Sequence, residues 1–204
     1  MIITIDGPAG SGKSSLAKAV AKKLGMHHFQ TGLHYRAAAW LWLKMEGCRP
    51  GVSSECSKKF KEVENGAVFS QEFLDELSKI ETHLNIGTHI SIDGKDVTSE
   101  LMKSFLSPGA SILSSRKEIL DIVIPMHKKV GTEFDLLADG RNCGSALFPD
   151  AALKVFLTAS VHVRANRLMG DPLRRSGKDF EQTVVALNER DKRDRERKDS
   201  PLVE

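Results

Sequence analysis

The run Gly7-Pro8-Ala9-Gly10-Ser11-Gly12-Lys13-Ser14 reads GxxxxGK followed by Ser, and it lies directly between the apolar stretch Met1–Ile5 and a helical pattern. Glycines let the backbone curl so that successive N–H groups point inward at phosphate oxygens, Lys13 adds a mobile positive charge, and the Ser14 hydroxyl is a ligand for Mg²⁺. Such a loop works between a strand and the helix whose first turn it forms, so it calls for an α/β chain in which a parallel sheet is flanked by helices. The ligand it implies is a nucleoside triphosphate, with MgATP as cofactor held by residues from Gly7 to Lys13, by Ser14 and by Ser15. A glycine-rich turn ending in a buried lysine is the plainer alternative. The strand before it and the helix after it favour the phosphate loop.

Length and composition fit that fold. The 204 residues, 40% hydrophobic and 28% charged, suffice for one P-loop domain with room for an inserted lobe and not for a second catalytic domain. The most apolar later run, Ala37–Leu43, is far short of a membrane span, so the expectation is a cytoplasmic protein without a membrane partner. Cys48, Cys56 and Cys143 are odd in number and lack paired CxxC spacing, which argues for reduced thiols. A net charge of +3 is mild, the basic residues cluster between Arg164 and Lys198, and aromatic residues do not interleave with them. Phosphate binding explains that distribution better than nucleic-acid binding does.

Periodicity supplies the organisation. Ser14–Leu24 carries Leu16, Val20 and Leu24 at spacing four and stops before Gly25, the pattern of an amphipathic helix with a glycine end. Leu33–Met45 is a second helix. From Cys48 to about Leu101 come two short helical patterns, Glu55–Asn65 and Gln71–Lys79, then alternation in Leu84–Ile86 and Ile90–Ile92 with a turn at Asp93-Gly94. This stretch, about 48–101, reads as a small lobe inserted between core segments 1–47 and 131–204. Ser107–Val130 is helical with a break expected at Pro125. Phe134–Ala138 and Lys154–Thr158 are buried-strand patterns, placing their C-terminal ends beside the phosphate loop.

A phosphate loop alone does not separate kinases from switches or motors. The discriminating feature is a set of arginines: Arg36, Arg116, Arg141, Arg174-Arg175 and the run Arg190–Arg197. Guanidinium forks match phosphate oxygens bidentately, so several of them near a γ-phosphate suit an acceptor that itself carries phosphate. Such an acceptor is ionised near neutral pH and needs no protein base. Arg190, Asp194 and Arg197 are spaced four and three apart and share one helical face. A kinase acting on a metabolite hydroxyl is the rival, with Asp6 or Asp139 as base. A nucleotide switch or a binding protein with weak or no catalysis is another. Asp139 reads equally as an acid that holds Mg²⁺ through water or as a turn residue. His27, His28 and His34 lack partners at metal spacing and read as packing residues. Trp40 and Trp42, two apart on a helix, cannot share a face.

Five segments resemble bacterial cytidylate kinases, nucleoside monophosphate kinases, over essentially the whole chain: Ile3–Ser14; Thr31–Ala37; Asp93–Glu100; Ala138–Arg141 with Leu147–Ala151 and Lys154–Ser160; and Glu189–Arg197 with Ser200-Pro201-Leu202. The resemblance implies a P-loop NTP-binding fold with an inserted NMP-binding lobe and a short lid about 170–178, acting as a monomer on CMP, dCMP and ATP. It implies that Lys13, Arg141, Arg190 and Arg197 are catalytic. Thr31, Arg36, Ser111, Arg141, Asn142, Arg190, Asp194 and Arg197 would bind the acceptor, Asp194 at its sugar and Ser111 at its base. Arg174 and Arg175 fall in the lid over ATP.

Three positions depart from the family pattern. Gly140-Arg141-Asn142 stands where the family has Gly-Arg-Asp, and the family arginine that helps bind the base falls at Leu120, with Arg116 one helical turn earlier as a candidate substitute. An amide both donates and accepts, so Asn142 is expected to tolerate uracil O4 as well as cytosine N4 and to weaken discrimination against UMP. The chain also stops at Glu204 without the family's usual final strand and helix, leaving open a shortened or a minimal form.

Overall fold

The computed structural model describes residues 1–48, 53–84, 87–172 and 177–204. In chain order its elements are β1 (Ile2–Asp6), α1 (Lys13–Leu24), β2 (His27–Gln30), α2 (Gly32–Met45), α3 (Ser53–Glu64), α4 (Gln71–Ser78), β3 (Glu81–Leu84), β4 (Thr88–Ile92), β5 (Lys95–Asp96), α5 (Thr98–Leu101), α6 (Leu106–Leu113), α7 (Lys117–Glu133), β6 (Leu136–Gly140), a π-helical turn (Cys143–Leu147), β7 (Leu153–Phe156), α8 (Val161–Met169) and α9 (Phe180–Glu196). Four strands form a parallel sheet in the order β2-β6-β1-β7. Every residue of β6 is buried, as expected of a central parallel strand covered on both faces.

Helix α1 follows the phosphate loop, ending at Gly25 in the left-handed conformation with φ of 68°. Its buried face differs from the one the spacing of Leu16, Val20 and Leu24 predicts. Leu16 and Leu24 are exposed, and Ala17 and Ala21 pack against Ile5, Met26 and Leu137 instead. The helix approaches the sheet too closely for leucine, and small side chains take the inner positions. Pro125 also departs from expectation: α7 runs unbroken through it, and the helical stretch breaks at Ser114–Arg116, where Arg116 turns extended. Pro125 is exposed, so water can serve the backbone carbonyl that loses its N–H partner, while Ile119, Leu120, Val123 and Val130 hold the opposite face in the core.

The largest apolar cluster runs from Leu33 on α2 through α3, α4, β4 and α6 to Val123 on α7. Trp42 packs edge-on against Phe69 and Phe73, whereas Trp40 turns away and donates Nε1–H to Glu100, as two residues apart on a helix must. Burial of each such aromatic or leucine side chain contributes about 1.5–3 kcal/mol. Strands β3, β4 and β5 form a separate antiparallel sheet, with Asp93 and Gly94 both left-handed in the turn. Its first strand lies at Glu81–Leu84 rather than Leu84–Ile86, of which residues 85 and 86 are outside the described residues. Thr88 fastens this sheet to the parallel one, donating to the His28 carbonyl and accepting from the Gln30 N–H. Cys48, Cys56 and Cys143 form no disulfide among the described residues. No helix among the described residues is long and apolar enough to cross a membrane.

Candidate active site

The four parallel strands end on one edge at Asp6, Gln30, Gly140 and Phe156, and the phosphate loop leaves from the end of β1. Gly7 has φ of 148°, and a Cβ there would lie 2.0 Å from the Leu157 carbonyl oxygen, so only glycine lets the loop pass the end of β7. Gly12, left-handed at φ of 97°, caps α1, whose first turn carries no acid. Its N–H groups are left to an anion. Ala9, Gly10, Lys13 and Ser14 line a cleft of about 600 Å³. Gly7, Pro8, Ser11 and Gly12 frame the loop behind them, and Ser15 is exposed outside the lining.

Lys13 is buried and donates to the Pro8 carbonyl at 2.9 Å. Burial, then repulsion from Arg141, pushes its pKa well below the usual lysine value. Ser14 Oγ donates to Asp139 Oδ2 at 2.6 Å, and the other carboxylate oxygen pairs with His28 Nε2 at 2.7 Å. Asp139 thus sits within β6 and meets the loop serine, which favours the acid over the turn residue. Two hard oxygen donors, a hydroxyl and a carboxylate, fit Mg²⁺. His34 instead hydrogen-bonds Thr82, its pKa lowered to about 4 by burial.

Across the cleft, Asp194 is buried on α9 and draws the arginines together. Arg141 Nε donates to Asp194 Oδ2 at 2.9 Å, Arg190 Nε lies 3.6 Å from the same oxygen, and Ser111 Oγ donates to Oδ1 at 2.8 Å. Arg197 Nη1 donates to Ser114, and Arg36 Nη1 to the Leu101 and Lys103 carbonyls. Thr31 holds the Asp139 carbonyl at 3.0 Å. Burial alone would raise the Asp194 pKa, yet Arg190, Arg141 and Arg197 hold it down to about 2. Burial and then Arg141 push Arg190 down to about 10. Among the described residues, eight cationic and four acidic side chains line the cleft. An excess of positive charge gathered around one cleft is relieved by an anion.

Several contributors carry no local signature. On α8, Arg164 donates to the Ala9 carbonyl and pairs with Asp191 at 2.6 Å, and Arg167 donates to the Ser11 carbonyl, so one helix braces the phosphate loop from behind. The only hint is their spacing of three on a helix directly after a strand. Arg193 bridges α9 to Glu64 on α3. Arg116 does not replace a base-binding arginine at Leu120. It donates to the Val63 and Ala67 carbonyls, pairs with Glu118 and stacks on Phe69, and Leu120 is buried in the apolar cluster. Asn142 is buried and lines the cleft, with Nδ2 lacking a hydrogen-bond partner among the described residues. Arg174 and Arg175, in the lid expected at about 170–178, lie outside the described residues.

A glycine-rich loop at the carboxyl edge of a parallel sheet, facing arginines gathered on one carboxylate, defines an α/β P-loop protein with a cleft for phosphate groups. The family described as cytidylate kinase matches residues 3–204, and the chain belongs to that family. It is 34% identical to a cytidylate kinase of Thermodesulfovibrio yellowstonii over 98% of this chain and 85% of that protein. With a cytidylate kinase of Caldanaerobacter subterraneus it shares 33% identity over 98% and 82%. A bifunctional pantoate ligase/cytidylate kinase of Prochlorococcus marinus matches 99% of the chain at 34% identity, and the chain spans 37% of that longer protein. The solved structure of TT1252 from Thermus thermophilus aligns over 93% of this chain and 78% of its own, at 18% identity and TM-score 0.39, too loosely to bear on the site.

Proposed function

We propose that this chain transfers the γ-phosphoryl group of MgATP to the 5′-phosphate of CMP or dCMP, giving ADP and CDP or dCDP, in pyrimidine nucleotide metabolism. The observation that carries this reading is the convergence of Arg141 and Arg190 on Asp194, with Arg197 lining the same cleft as Lys13. Lys13 and the loop amides stabilise the β- and γ-phosphates. Arg36, Arg141, Arg190 and Arg197 hold the acceptor phosphate in line and neutralise charge on the transferring group. Ser14 and Asp139 would hold the Mg²⁺ that accompanies ATP, which adds further neutralisation of phosphate charge. An oxygen of the acceptor phosphate attacks the γ-phosphorus as the bond to the β–γ bridging oxygen breaks. That oxygen is ionised near neutral pH, so no base is required. Residues 48–101 serve as the acceptor-side lobe and 170–178 as the lid that excludes water over ATP.

The state of the two strand-end acids weighs against a kinase for hydroxyl acceptors. Asp6 accepts the Cys143 and Gly144 N–H groups with its two carboxylate oxygens, at 2.9 and 2.7 Å, and so caps the π-helical turn. Asp139 is taken up by Ser14 and His28. Asp6 is thus engaged in the fold, and Asp139 sits beside the loop serine, where a metal-holding role suits it better than that of a base.

A second reading, relaxed choice of pyrimidine, is favoured by the buried Asn142 amide without a hydrogen-bond partner and by Leu120 lying in the apolar core. An amide Nδ2–H offers a donor to a base carbonyl such as uracil O4, where a carboxylate would only accept. One assay tests both readings: ADP formation from MgATP with CMP, dCMP, UMP or no acceptor. CMP-dependent turnover is expected, and its absence with every nucleotide overturns the kinase reading. UMP turnover within about tenfold of CMP, sharpened toward CMP by Asn142→Asp, is expected for the relaxed site. Negligible UMP turnover removes it.

A further inference from the structure

We propose that Ser107 and Ser114 are positioning residues that fix the phosphate-binding arginines in place before ligand arrives, an inference that rests on the reading of those arginines given above. The pairs Ser107 with Arg190, Ser111 with Asp194 and Ser114 with Arg197 are each separated by 83 residues. A constant offset means that α6 and α9 lie side by side and run in the same direction, with spacings of four and three matched on both. The three serines form a ladder of hydroxyls facing the acid and two of the arginines.

Each hydroxyl leaves its arginine in a defined state. Ser107 Oγ accepts from Arg190 Nη1 at 2.5 Å, while Arg190 Nε is buried with no hydrogen-bond partner among the described residues, 3.6 Å from the Asp194 carboxylate. Nε lies on the guanidinium edge that forms a two-pronged contact with a phosphate. Asp194 is the strong competitor for that edge, and a two-pronged pair with it would close Arg190 to phosphate. Ser107 fixes the opposite nitrogen with a neutral oxygen, so the guanidinium is held beside the carboxylate at 3.6 Å without closing onto it. Ser114 is oriented more firmly: its hydroxyl donates to the Ser111 carbonyl, so its lone pairs are left to accept from Arg197 Nη1 at 2.9 Å, and its carbonyl accepts from the same nitrogen at 3.2 Å. A long arginine side chain loses considerable rotamer freedom when fixed, and fixing it before the ligand arrives removes that cost from binding.

Ser107→Ala and Ser114→Ala test the ladder, with Ser107→Thr as the conservative rescue and Ser115→Ala as control, since the Ser115 hydroxyl donates to the Ile112 carbonyl and touches no arginine. The expected result is a fall of at least about tenfold in kcat/KM for CMP in each alanine variant, with KM for MgATP and the urea midpoint unchanged, and recovery in Ser107→Thr. Wild-type kcat/KM in Ser107→Ala and Ser114→Ala overturns the proposal. So does a loss that tracks a lowered urea midpoint without rescue by threonine. Calorimetric titration of inorganic phosphate reads arginine placement without turnover. A wild-type chain inactive on every nucleoside monophosphate would refute the reading of the site, and phosphate would still decide the serines. Affinity weakened about tenfold in the alanine variants supports the ladder, whereas equal affinity, or none in the wild type, overturns it.

Discussion

Asp194 shows how one buried carboxylate can gather its neighbours. It is buried, it accepts from Arg141 and Ser111, and it lies close to Arg190, so its charge offsets part of the positive charge gathered there. Its folded pKa near 2 is below the ordinary 3.8, so the stability it contributes is present above the ordinary value and is lost as pH falls through the folded value. Asp194→Asn should therefore lower stability at pH 7 by on the order of 2 kcal/mol. Urea melts of variant and wild type at pH 7, 4 and 2 check this: the midpoints should stand apart at pH 7 and 4 and converge toward pH 2. A gap that stays constant across the series would mean that the carboxylate charge is not what stabilises the fold.

At the scale of elements, packing overrides local preference. Helix α7 keeps Pro125 in its interior because the proline faces solvent while Ile119, Val123 and Val130 secure the inner face. An exposed helix-interior proline still forfeits a backbone hydrogen bond, so Pro125→Ala should stabilise the chain by about 2 kcal/mol, after allowing for the greater freedom of the unfolded chain. A higher urea midpoint with unchanged slope is the expected signature, and an unchanged or lower midpoint would show that α7 is built around the proline. Helix α1 follows the same logic: the tight approach to the sheet selected Ala17 and Ala21 for the inner face and left Leu16 and Leu24 outside.

Across the whole molecule, α9 joins the parts that must work together. Through Asp191 and Arg164 it reaches the phosphate loop, through Asp194 it gathers Arg141 and Ser111, and through Arg193 it reaches Glu64 on α3. Ligands that fill this cleft should therefore stabilise the entire fold. At a hundredfold excess over its dissociation constant, CMP or MgATP should add about 2.7 kcal/mol, a rise in Tm of roughly 5–10 °C for a chain of this size, measured by thermal melts with and without nucleotide. No shift with either nucleotide at millimolar concentration would contradict the assigned cleft. The phosphate loop, the helix after it and the shared face of Arg190, Asp194 and Arg197 were legible in the sequence, since each depends on neighbours within one or two helical turns. The meeting of Ser14 with Asp139, 125 residues away, the capping of the π-helical turn by Asp6, 137 residues from Cys143, and the engagement of Arg116 away from the cleft were not. By itself the sequence determined which chemical groups were available and where several of the helices and strands lie, because backbone conformation and side-chain periodicity are largely local. Only the tertiary structure decided which carboxylate neutralises which cation and which helix face is buried, because those choices depend on how closely distant segments approach once the sheet has closed.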